Sequence, residues 1–214
     1  MNPPRILMAA GLAMWAWGAQ AYLAEAGQGL VQAMTQRFGP AAGERLLAWQ
    51  RASRKLPAAK DPALIDRANM LANRVPYAED IDAWHVEEHW STPAEFVARN
   101  AGDCEDYTIA KYFSLRERGV AADKLRLVYV RAKLRDRTDN HMVLAYYPQP
   151  EADPLVLDNI DPRLLRASQR PDLSPVFSFN DEHLWRDGQA TAGGASQVRR
   201  WRELQERVLR ERRL

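Results

Sequence analysis

Between residues 28 and 75 apolar side chains recur three or four positions apart: Leu30, Met34 and Phe38, then Leu46, Leu47 and Trp49, then Leu64, Ile65, Ala68 and Leu71. That spacing gathers them on one face of a helix and predicts two or three helices, with breaks at Gly39-Pro40 and across residues 57–62. Thr92-Pro93-Ala94-Glu95 carries a capping box, with Thr92 as N-cap and a proline in the tolerated first helical position, so a short helix is expected over residues 93–99. Asn100-Ala101-Gly102 breaks it. Asp103 is then placed to cap a second helix that starts at Cys104 and runs through Ile109, Ala110 and Phe113 to a stop at Gly119.

Beyond Gly119 the period shortens to that of strands. Residues 125–133, 141–147 and 155–159 are rich in Val, Leu and Tyr, are separated by polar or proline-containing turns, and are expected to form an antiparallel sheet. The layout is α+β: helices first, a central helix carrying the cysteine, and a sheet packed against it. Residues 190–196 read as a small-residue linker. Residues 197–214 read as a charged helix with Val198, Trp201, Leu204, Val208 and, one turn on, Arg212 along one face. Seven arginines against three glutamates make that segment basic, but the stripe favours packing back on the domain over a membrane or polyanion contact.

At the other end, Arg5 precedes an apolar run over residues 6–17 that finishes in the small-residue pattern Ala19-Gln20-Ala21. Residues 1–21 therefore read as a Sec-type secretory signal peptide, with a mature chain beginning near Tyr22. The run falls short of the roughly 20 apolar residues that span a bilayer, and an uncleaved anchor is the alternative reading. Residues 22–189 suffice for one domain with a hydrophobic core, and 46% hydrophobic content with 13 prolines fits a globular chain. The net charge of +2 gives no global attraction to nucleic acid.

The chain has a single cysteine, Cys104, so no intramolecular disulfide is available to it. It reads either as a small buried hydrophobe or as a reactive thiol. A thiol in the first turn of a helix sits at the positive end of the dipole, which favours the nucleophilic thiolate. Asp103, Glu105 and Asp106 oppose that ionisation, because like charge beside a thiol disfavours it. A hard cation would remove the conflict, and the oxygen-only set Asp103, Glu105 and Asp106 suits Ca²⁺ better than Zn²⁺ or copper. The metal-free alternative makes Asp103 a cap and Asp106 a first-turn residue. A base is also needed, with a third group to orient it. Of four histidines, His141 opens a predicted strand and Asp158 lies on the next, so antiparallel pairing would bring the two together. His85-Val86-Glu87-Glu88-His89 separately fits the H-x-x-E-H pattern of inverted zinc peptidases, although Ser91-Thr92-Pro93 cuts the segment short and a solvated helix face is the plainer reading.

The stretch Trp90-Ser91-Thr92-Pro93-Ala94-Glu95-Phe96, the run Gly102-Asp103-Cys104-Glu105-Asp106-Tyr107-Thr108-Ile109-Ala110-Lys111-Tyr112, and the later Asn140-His141-Met142-Val143-Leu144 and Leu157-Asp158-Asn159 together resemble the bacterial transglutaminase-like cysteine proteinases. The resemblance covers residues 74–185. It implies a papain-like or transglutaminase-like core with Cys104 as nucleophile, His141 as general base and acid, and Asp158 as orienting carboxylate. It also implies a calcium site on Asp103 and Glu105, with Asp106 beside them. The substrate it implies is a large surface adhesin cut near its N-terminus at a di-alanine site, in the periplasm of a Gram-negative bacterium, controlling release from a biofilm. The regulator it implies is the periplasmic domain of an inner-membrane cyclic di-GMP receptor. His85, His89 and the basic C-terminal helix stand outside the family pattern. Two other functions fit the same residues: acyl transfer to a lysine amine, as in a transglutaminase, and a calcium-stabilised binding domain whose thiol is silent.

Overall fold

Gly39, at φ +87°, turns the chain between α1 (Gln28–Phe38) and α2 (Pro40–Arg54), a conformation that only glycine adopts without strain. The structure, a computed structural model, describes residues 22–186, 188–191 and 194–214; the expected signal peptide, residues 1–21, lies outside the described residues. The third expected helix is α3 (Ala63–Ala72), followed by the short α4 (Asp80–Trp84). The capping box forms as the sequence predicts. The Thr92 hydroxyl accepts the Glu95 N–H at 3.1 Å, and the Glu95 carboxylate accepts the Thr92 N–H at 3.0 Å, which starts α5 (Pro93–Arg99). Asn100 ends it in the left-handed region, and α6 (Cys104–Glu117) begins at the cysteine.

Among the described residues seven antiparallel strands follow, more than the three expected. They are β1 (Leu125–Leu134), β2 (Arg137–Tyr146), β3 (Leu155–Leu157), β4 (Leu165–Arg166), β5 (Leu173–Phe179), β6 (Leu184–Arg186) and β7 (Gln189–Ala190), in the spatial order β4-β3-β2-β1-β5-β6-β7. Strands of two or three residues carry too little alternation to be read from a sequence. β5 is hidden for a different reason: Pro175 sits opposite Val130 where the register slips, because proline has no N–H to give the ladder. Two details differ from expectation. β2 starts well before His141, which therefore lies inside the strand, and β3 stops at Leu157, one residue short of Asp158.

The main core lies between the helices and one face of the sheet, where Leu125, Leu127, Leu144, Leu157 and Phe179 meet Ile109 and Phe113 of α6. A smaller apolar cluster of Val128, Val130, Val143, Ala145 and Val156 covers another part of the sheet. The C-terminal helix α7 (Arg199–Glu211) closes the main core with the expected stripe: Trp201, Leu204 and Val208 are buried. Trp201 meets Tyr112 and Phe179 edge-on, each at 5.5 Å between ring centroids. Among the described residues no helix is long and apolar enough to cross a membrane.

The H-x-x-E-H reading does not survive the backbone. α4 ends at Trp84 and His85 turns left-handed at φ 60°, so His85 and His89 do not share a helix. His89 instead packs tilted against Trp84, with ring centroids 4.2 Å apart, and approaches Glu95 at 3.6 Å.

Glu95 ties these elements together. It is 3% exposed and meets Arg37 of α1 at 2.5 Å and Arg207 of α7 at 2.8 Å. Burial alone would raise its pKa, but His89, Arg207, the Thr92 N–H and Arg37 outweigh that and hold it at about 2. A folded pKa depressed in this way stabilises the fold above the ordinary carboxylate value near 4.3, and that contribution disappears as pH falls towards about 2. Glu95→Gln is expected to cost on the order of 3 kcal/mol in urea unfolding at pH 7. The difference from wild type should shrink between roughly pH 4 and pH 2.

Candidate active site

The loop before Cys104 is built around a close approach at Gly102. A Cβ there would stand 2.6 Å from Asp106 Oδ2 and 2.7 Å from Phe96, so only glycine fits. Gly102 also pairs with Tyr77 in an isolated parallel bridge, and its carbonyl accepts the Ala78 N–H at 3.0 Å. These contacts set the start of α4 beside the start of α6. The Cys104 thiol, partly buried, donates to Glu105 Oε2 at 2.8 Å. Burial raises the thiol pKa well above its ordinary value, Glu105 and Asp103 raise it further, and the Met142 backbone N–H pulls the other way. One turn on, the Thr108 hydroxyl donates to the Met142 carbonyl at 3.0 Å, pinning α6 to β2 one residue from His141.

His141 and Asp158 meet as the sequence predicts, though through the end of β3 rather than across a ladder. Pairing stops at Leu144 with Leu157, Asp158 leaves the strand, and its Oδ1 lies 2.8 Å from His141 Nε2. The same oxygen accepts the Ile160 N–H at 3.0 Å, and the Asp158 carbonyl accepts from the Asn73 side chain at 2.9 Å. Arg170, buried, donates to Asp158 Oδ2 at 2.8 Å and to Asp172 at 2.7 Å. Burial pushes the Asp158 pKa up, but His141, the Ile160 amide and Arg170 prevail and hold it far below the usual carboxylate range. Lys111 of α6 is buried in the same region; burial lowers its pKa to about 7 against the pull of Asp158. Nothing in the sequence marks Arg170 apart from the chain's other arginines, since its role depends on a partner twelve residues away.

Three carboxylates converge beside the cysteine, namely those of Asp80, Asp103 and Asp106, with one oxygen from each lying within 4.8 Å of the others. Asp103 occupies the N-cap position of α6 but makes no capping hydrogen bond. Asp106 accepts the Ser91 N–H at 2.6 Å and the Ser91 hydroxyl at 3.0 Å. Burial pushes up the pKa of all three; Glu105, Asp106 and Asp80 then raise Asp103 further, to about 10. Asp80 Oδ1 and Asp103 Oδ1 are buried without a hydrogen-bond partner. Orphaned carboxylate oxygens that repel one another, in an all-oxygen donor set, fit a hard divalent cation. Of the sequence-derived trio the structure brings Asp103 and Asp106 into this cluster. Glu105 borders it, bonded to the thiol, and Asp80 joins from α4. Asp80 escaped sequence reasoning because it arrives through the Tyr77–Gly102 bridge rather than through spacing along α6.

No curated protein matches the chain. A family model described as bacterial transglutaminase-like cysteine proteinase BTLCP matches residues 50–173. Solved structures of LapG from Legionella pneumophila are similar at 35% identity, one covering 83% of this chain and 94% of its own with a TM-score of 0.70. An EGTA-treated form covers 83% and 95% with a TM-score of 0.71, and a calcium-bound form 83% and 96% with 0.69. The α+β architecture expected from the sequence is the transglutaminase-like fold these proteins share. With more than half its length matched by the family model and its fold held in common with LapG, the chain belongs to the bacterial transglutaminase-like cysteine proteinases.

Proposed function

We propose that this protein is a calcium-dependent periplasmic cysteine endopeptidase, exported by the Sec route and acting on a large surface adhesin. The observation that carries the catalytic reading is the pairing of His141 Nε2 with the buried Asp158 at 2.8 Å, on the strand that the cysteine-bearing helix grips one residue away, through Thr108 and the Met142 carbonyl. With Nε2 occupied, Nδ1 is the imidazole nitrogen left for the thiol. In this reading Cys104 Sγ attacks the peptide carbonyl, forming the S–C bond as the C–N bond breaks, and His141 carries the thiol proton to the leaving amine. Water then attacks the thioester, the S–C bond breaks, and His141 returns a proton to sulfur. Asp158 fixes the tautomer, and Arg170 holds Asp158 ionised and in place. The Cys104 backbone N–H, at the first position of α6 where a helix supplies no acceptor, serves as an oxyanion donor.

Asp80, Asp103 and Asp106 would hold Ca²⁺, with Glu105 at the margin; when bound, the ion supplies positive charge that offsets the carboxylates opposing the Cys104 thiolate. The calcium-bound form of LapG supports this assignment. The adhesin substrate, the role in biofilm release and a cyclic di-GMP receptor as regulator follow from the family resemblance.

Incubation with the N-terminal segment of a large adhesin should give cleavage by the wild type. Cys104→Ala is expected to reduce it by roughly a thousandfold or more. EGTA should abolish cleavage and added calcium restore it. Failure of the wild type to cut would overturn the substrate, and an active Cys104→Ala protein would overturn the mechanism.

Asp80→Asn tests the cluster without relying on activity. Calorimetric titration should show calcium binding weakened about tenfold or more, and the calcium-dependent rise in Tm should shrink.

Arg170→Met should lower kcat by on the order of 10- to 100-fold with little change in KM, because the His141–Asp158 pair loses its anchor while substrate contacts remain. A change confined to KM would place Arg170 in substrate binding instead.

A further inference from the structure

The first described residues are packed into the fold. Tyr22 and Leu23 are each 2% exposed and Ala24 5%. The Tyr22 ring lies 6.1 Å from Phe113 between centroids, its hydroxyl bonds Glu211 of α7, and the Arg212 guanidinium sits 5.6 Å from the ring centroid. Three consecutive backbone N–H groups then converge on one carboxylate. Tyr22 N lies 3.1 Å and Leu23 N 2.7 Å from Glu117 Oε1, and Ala24 N lies 3.1 Å from Oε2. Glu117 is the last residue of α6, where the helix dipole disfavours an anion and favours a cation. Burial accordingly raises its pKa, while the three amides and Arg212 pull it down.

We propose that Glu117 is a built receptor for the α-ammonium group of Tyr22, created when a peptidase selective for small residues hydrolyses the Ala21–Tyr22 bond. The proposal rests on residues 1–21 being a cleaved signal peptide. In that hydrolysis water adds across the amide, Ala21 leaves as a carboxylate, and Tyr22 N becomes a primary amine that takes up a proton. The nitrogen already lies within hydrogen-bond distance of Glu117, so cleavage turns an amide bond to the carboxylate into a charge-assisted one without moving the chain. The new cation also suits the C-terminal end of α6, the helix whose first residue is Cys104. The charged groups around it are Glu117 and Arg212, with Glu211 and Glu95 towards the Tyr22 ring.

An α-amine paired with a carboxylate has a raised folded pKa. Its stabilisation is complete below the ordinary value of about 7.7 and is lost as pH rises through the raised one. The test compares two full chains: one released from a fusion so that Tyr22 is the first residue, and one retaining Ala19-Gln20-Ala21. Each is prepared with Glu117 and with Glu117→Gln, and melted from pH 6 to pH 10. With Glu117, the Tyr22-first chain should melt roughly 3–8 °C higher at pH 6, with the gap closing towards pH 10. Glu117→Gln should remove the gap. Equal melting of the two Glu117 chains at pH 6, or a gap that persists in Glu117→Gln, would overturn the ion pair. The intact mass of the exported protein should match a chain starting at Tyr22, and any other start would overturn the processing position. None of these readouts depends on adhesin cleavage, so failure here and failure of the protease reading are separable.

Discussion

The docking of α6 on β2 at a single register is the constraint from which the rest of the site follows. The Met142 carbonyl takes the Thr108 hydroxyl at 3.0 Å, so the residue next to His141 on β2 is tied to the turn of the helix that follows Cys104. Sliding α6 by one turn would separate the thiol from the strand that carries His141. The contact is short-range and polar, and the apolar packing of Ile109 and Phe113 on Leu127 and Leu144 supplies the bulk of the adhesion that holds it. Specificity of register and strength of attachment thus come from different atoms.

Around that register the charges divide into two zones. Below His141 the carboxylate of Asp158 is satisfied by an imidazole, an amide and Arg170, and its ionised form is favoured strongly. Beside Cys104, Asp80, Asp103 and Asp106 crowd together, Asp80 and Asp103 each with an unpartnered oxygen, and the ionised forms of all three are disfavoured. One carboxylate and a cluster of three are therefore tuned in opposite directions by their neighbours. One arrangement is complete in itself, and the other calls for a cation.

What was legible in the sequence was what is local. The capping box at Thr92, the glycine break before Cys104 and the apolar stripe of α7 each depend on residues within one or two turns, and each took the form expected. The meeting of His141 with Asp158 was also foreseen, although by a ladder that in fact ends one residue early. Asp80 and Arg170 were invisible because the contacts that define them span more than ten residues, through the Tyr77–Gly102 bridge and the loop after β4. For His85 and His89 both the discounted zinc motif and the preferred solvated helix face presumed a helix, where a left-handed residue in fact ends one.

The burial of Trp201 has a bearing on when the molecule becomes a folded object. The indole sits among Tyr112, Phe113 and Phe179, so the main core is incomplete until α7 arrives, and Glu211 then reaches Tyr22, 189 residues earlier in the chain. A chain made from its N-terminus thus holds an open core until α7 has been made. Such a polypeptide stays open until α7 is available, and the segments around Tyr22 and Glu211 then lock in the same event.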